Sequence, residues 1–74
     1  MKKLSLLNAG DQATIHAIEA EQSLHQRLLA LGFRVGKKIE LIRRASFNGP
    51  LHVRIGSTDV ILRASEANLI QISH

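Results

Sequence analysis

Four histidines, six carboxylates and no cysteine are the groups with which this 74-residue chain could do chemistry. A metal site would draw on His16, His25, His52 and His74. None of them forms an H-x₃-H or H-E-x-x-H pattern, and no two lie within five residues of each other. His16 and His52 alternate with aliphatic neighbours and are expected on the outward faces of strands, and His25 on the exposed side of a helix. The carboxylates are Asp11, Glu19, Glu21, Glu40, Asp59 and Glu66. An acid–base pair needs two of them facing across a cleft, and so small a domain has little room for the roughly 300 Å³ that substrate sites occupy. No G-x-S-x-G turn is present, and Gly32-x-x-x-Gly36 lacks the Lys-Ser/Thr of a phosphate loop. The residues point away from an enzyme, and no catalytic, cofactor-binding or metal-ligating residue is assigned.

A net charge of +4 raises the question of polyanions. The positives are scattered as Lys2-Lys3, Lys37-Lys38, Arg43-Arg44 and single arginines, the pattern of a solvated surface. Phe33 and Phe47 are the only aromatics, which leaves a nucleic-acid reader little to stack on bases. A small nucleic-acid-binding barrel using Arg43, Arg44, Arg54 and Arg63 is the alternative reading. No run approaches the ~18 apolar residues of a membrane span, and Asn8, Gly10 and Asp11 interrupt the apolar patch that follows Lys2-Lys3. A cytoplasmic location follows by default.

The elements that must position these residues can be read from periodicity. Aliphatic residues dominate a 45% apolar composition, which suits a small sheet or barrel interior. Thr14–Ile18 is expected as a first strand. Ser23–Leu31 carries leucines at 24, 28 and 31, the stripe of an amphipathic helix, with Ser23 and Gln26 as a capping box and Gly32 as a left-handed end. Lys38–Arg44 begins as a strand with Ile39 and Leu41 inward, and Leu41-Ile42 breaks the alternation, as either a bulge or a strand buried on both faces would. Ser46–Pro50 is a turn in which Asn48-Gly49 supplies positive φ. Leu51, Val53 and Ile55 form the cleanest alternating strand, and Gly56-Ser57 turns it back into Asp59–Arg63. Ser65 caps a short helical turn before a last strand at Leu69–Ile72. The expectation is one mostly β domain over residues 1–74, a partly open barrel of about five short strands with one inserted helix.

The order Leu4-x-x-Leu7-x-x-Gly10, Leu28-Leu29-x-Leu31-Gly32-Phe33-x-x-Gly36, Val53-x-Ile55-Gly56 and Ile61-Leu62-Arg63-x-x-Glu66-Ala67-x-x-Ile70 resembles the FeoA family of ferrous iron transport proteins. The resemblance covers essentially the whole chain. Val35 stands where the family often has proline. The resemblance implies an SH3-like barrel and no enzymatic activity. It further implies a cytoplasmic accessory that binds the GTPase-bearing cytoplasmic region of an FeoB-type iron transporter, and that meets the membrane only through that partner. A metal-responsive SH3-like domain of the kind found in iron-dependent repressors is a further alternative. Self-association remains open.

An adaptor without a ligand acts by binding one state of its partner better than another. The candidate contact patch is Arg27, Leu28, Leu29, Phe33 and Arg34, because the helix holds more leucines than one narrow stripe needs. With Leu24, Leu28 and Leu31 on the barrel side, Leu29 and Phe33 are left near the surface beside two arginines. The competing reading is that Leu29 and Phe33 complete the core.

Overall fold

The computed structural model describes residues 2–73. Six antiparallel strands form one sheet in the order β1-β6-β2-β3-β4-β5. β1 is Lys2–Lys3, β2 is Gln12–Ile18, β3 is Lys38–Arg44, β4 is Leu51–Ile55, β5 is Thr58–Leu62 and β6 is Ile70–Ser73. A 3-10 turn at Leu4–Leu6 follows β1, helix α1 (Gln22–Ala30) joins β2 to β3, and the single turn α2 (Ala64–Ala67) joins β5 to β6. The count is therefore six strands rather than about five. The additional one has two polar residues and no periodicity of its own; it is defined only by pairing with Ile72 and Gln71. Among the described residues the sheet does not close into a barrel, and β1 and β5 lie at its two edges.

Alternation along the strands builds the interior. Ala13 and Ile15, Ile39 and Leu41, Leu51, Val53 and Ile55, Val60 and Leu62, and Ile70 and Ile72 all point into one hydrophobic cluster. The register slips between Ile15 and Ala17 and again between Leu41 and Arg43. These two bulges bend the sheet around its core, and the second falls where Leu41-Ile42 breaks the alternation. Arg44, at the end of β3, donates its guanidinium to the carbonyls of Ser5 and Leu7, at 2.5 Å for Leu7. That satisfies acceptors at the end of the 3-10 turn and ties the N-terminal segment to the sheet.

Helix α1 starts one residue earlier than its sequence pattern suggests, and its cap is Glu21 rather than Ser23. The Glu21 carboxylate accepts from the amides of Ser23 at 3.0 Å and Leu24 at 2.7 Å, and from the Ser23 hydroxyl at 2.7 Å. The Ser23 hydroxyl, with the Leu24 and Ser23 amides, holds the Glu21 carboxyl below its ordinary pKa. At the other end Gly32 is left-handed, at φ +103°. Its amide bonds to the carbonyl of Leu29 and that of Phe33 to the carbonyl of Leu28, both at 3.0 Å, which is the Schellman pair of bonds. In α2 the cap is Arg63 rather than Ser65, and its amide donates to the Glu66 carboxylate at 2.9 Å.

The connector between β3 and β4 also departs from expectation. Phe47 and Asn48 are the left-handed residues, at φ 59° and 58°, and Gly49 is not left-handed. Gly49 is needed for a different reason: a Cβ there would lie 2.6 Å from that of Ala45.

Candidate functional site

The contact patch read from the helix is divided by the structure. Leu28 and Phe33 are both 0% exposed and belong to the core. The Schellman bonds turn the chain back under α1, and such ends commonly bring the residue after the glycine against the last turn of the helix. Neither side chain can touch a partner of the folded domain. Leu31, expected inward, is instead partly exposed at the helix end. Arg27, Leu29 and Arg34 keep access to the surface, Leu29 being half-buried.

Arg27 reaches toward α2. Its guanidinium pairs with the carboxylate of Glu66, 39 residues along the chain. Burial pushes the Glu66 carboxyl up, but the Arg63 amide, the Arg27 hydrogen bond and the two arginine charges together outweigh it. The group sits below its ordinary pKa and is a fixed anion at neutral pH. This pair forms one wall of a hollow of about 560 Å³, whose other walls are Asn48, Pro50, Ile61, Arg63 and Ala64. A smaller hollow of about 200 Å³ adjoins it, sharing Asn48 and Ala64 and reaching Leu6 and Arg44.

The face around these hollows is apolar and basic. Ile61 is 64% exposed and Leu6 61%, and Phe47, next to Asn48, is completely exposed. Glu66 is the only carboxylate in the lining, and Arg27 already neutralises it. Arg63 makes no side-chain hydrogen bond among the described residues. A surface with exposed aliphatic groups beside a guanidinium that makes no side-chain hydrogen bond among the described residues is suited to holding an apolar side chain and an acidic one together.

The sequence reading of the helix missed Pro50, Ile61 and Arg63. A signal for Ile61 was present: in Val60-Ile61-Leu62 a strand that turns two aliphatic residues inward must turn the middle one out.

A separate surface cluster lies on the β4–β5 hairpin. Asp59 accepts from Arg54 at 2.7 and 3.1 Å and contacts His52 at 2.9 Å across the β4–β5 pair. His16 is exposed and, among the described residues, has no such partner. Among the described residues, no three His, Asp or Glu side chains come together as metal ligands would.

Comparison with known proteins bears on the whole chain. Residues 2–74 match the family model described as the FeoA domain. The chain is 36% identical over 70 residues to the Fe(2+) transport protein A/Fe(2+) transporter FeoB fusion protein of Porphyromonas gingivalis. That alignment covers 95% of this chain but only 8% of the fusion protein. It is 33% identical to the putative Fe(2+) transport protein A of Campylobacter jejuni, with 95% of each chain covered. Among solved structures it superposes on the zinc complex of Stenotrophomonas maltophilia FeoA, a prokaryotic SH3 domain protein. The TM-score is 0.86 at 27% identity, over 99% of this chain and 91% of the other. The open six-stranded sheet is thus SH3-like, and the chain belongs to the FeoA family of ferrous iron transport accessory proteins.

Proposed function

We propose that this chain works in the cytoplasm as a single FeoA-like domain that binds the cytoplasmic, GTPase-bearing region of an FeoB-type ferrous iron transporter and modulates it. The observation that carries this reading is the Porphyromonas gingivalis relative, in which a segment 36% identical to this chain is joined to an FeoB transporter in one polypeptide. Such a tether keeps two modules at high effective concentration, which is useful when they act on each other. The apolar and basic face around Ile61 and Arg63 supplies a surface of the right character. Modulation then means unequal affinity for the nucleotide states of the partner, since equal affinity would shift nothing.

The test is titration calorimetry of the chain with the FeoB-type transporter encoded in the same genome, with GTP and then GDP bound. The expected result is saturable binding whose affinity differs between the two nucleotides, together with an altered rate of GTP hydrolysis. Absence of binding in both states would overturn the reading.

A further inference from the structure

The two free edges of the sheet are unequal. β1 has two residues, whereas β5 has five in regular register with β4. Gly56, at φ +61° and followed by Ser57 on the ordinary side, forms a two-residue turn of type II′. In such a hairpin Ile55 and Thr58, which close the turn, exchange both backbone hydrogen bonds. Alternation then assigns the next bonded pairs to Val53 with Val60 and to Leu51 with Leu62. Asp59 and Ile61 must therefore direct their amides and carbonyls away from β4, to an edge where no strand pairs among the described residues.

Natural edges are guarded by lysine, proline, a bulge or a covering element. Thr58-Asp59-Val60-Ile61-Leu62 contains neither lysine nor proline, and its register with β4 has no break. The Asp59 side chain is occupied by Arg54 and His52 across the pair. Along the same strand Ile61 opens onto the hollow that Arg63 and Pro50 help to line. Unspent backbone donors and acceptors, an exposed aliphatic side chain and a guanidinium that makes no side-chain hydrogen bond among the described residues thus lie side by side.

We propose that β5 is a docking edge, to which an extended acidic segment of the partner adds as a seventh strand. The segment pairs with the main chain of Asp59 and Ile61, sets an apolar side chain against Ile61 and Pro50, and places a carboxylate on Arg63. The choice of an acidic occupant rests on charge: the lining's cations exceed its one carboxylate, which is already paired. The proposal rests on the reading that the partner is an FeoB-type transporter.

The experiment measures affinity of the full chain and four variants for the full-length transporter from the same genome, held in nanodiscs, with thermal melts confirming the fold. Ile61→Ala should weaken binding severalfold. Ile61→Pro deletes an amide that the β4 ladder does not use, and should weaken binding about tenfold further. Ile61→Lys, a guarded edge on an exposed position, should abolish it even if the proline variant fails to fold. Arg63→Glu should weaken it about tenfold at low salt and less at high salt. Folded Ile61→Lys and Arg63→Glu proteins that bind within twofold of the parent would overturn the docking edge while leaving the transporter reading intact. A parent chain that does not bind would overturn both. Sedimentation showing that Ile61→Lys breaks a dimer of the parent, with transporter binding unchanged, would assign the edge to a second copy and overturn the proposal.

Discussion

The amide of Phe33 donates to the carbonyl of Leu28 at 3.0 Å, and both side chains are wholly buried. One hydrogen bond thus sets the end of α1 and the assignment of two large side chains to the interior. Leu28 is the only fully buried residue of the helix, with Leu24 packed partly buried against the same core, so α1 is held by these two leucines and carries its polar face outward.

Replacing either residue therefore tests packing rather than recognition. Leu28→Ala and Phe33→Ala should each destabilise the fold by about 2–5 kcal/mol, read from urea denaturation. Phe33→Asp should not fold. Leu29→Asp, at a half-buried position, should fold with a much smaller loss.

The cap at the other end of α1 makes a second case. Glu21→Ala removes acceptors from two first-turn amides and should lower the melting temperature by a few degrees. Ser23→Ala removes only a bond to that same carboxylate and should change it less. The reverse order would reinstate Ser23 as the cap.

Acid should weaken the β4–β5 hairpin in a defined window. Hydrogen bonds from Arg54, and then from His52, hold Asp59 at about 2 against an ordinary 3.8. Its stabilisation is complete above the ordinary value and is lost as the pH falls through about 2. Melts between pH 5 and pH 2, a range chosen from that linkage, should show a steeper fall for the parent than for Asp59→Asn. Equal slopes would mean that the exposed pair contributes nothing.

The β3–β4 connector carries its own test. Phe47 is fully exposed in a left-handed conformation that costs a bulky residue about 1 kcal/mol, so Phe47→Gly should not destabilise and should gain up to that amount. Gly49→Ala forces a Cβ against Ala45 and should destabilise by about 1–3 kcal/mol. Both are read from chemical denaturation.

The strands from Lys38 onward were legible because an alternating run has one physical solution when a single face is buried. The break at Leu41-Ile42 was legible for the same reason, but its choice between a bulge and a strand buried on both faces is made only by the register with β4. Three features were not. β1 has no pattern, since its existence depends on β6 arriving beside it. The cap of α1 depends on which carboxylate reaches the amides, a question of rotamer and chain direction that residue type alone does not answer. The surface role given to Phe33 fails because a stripe of Leu24, Leu28 and Leu31 does not fill the space under the helix: Leu31 lies at the exposed end, and the Schellman bonds fold Phe33 back beneath in its place. The hollow at Ile61 depends on bringing α1, the β3–β4 connector and α2 together, a tertiary arrangement with no local signature.

The position of β6 between β1 and β2 has a consequence for the order of synthesis. β6, made after all the other strands described, is inserted between the first two, and it brings Ile70 and Ile72 into the core. A nascent chain that has completed β2 to β5 has a sheet with one strand missing and β1 without a partner. Completion of the sheet must therefore wait until Ile72 has cleared the ribosome, and the pairing of Lys2 with Ile72 is a contact of long sequence separation, the kind that slows folding.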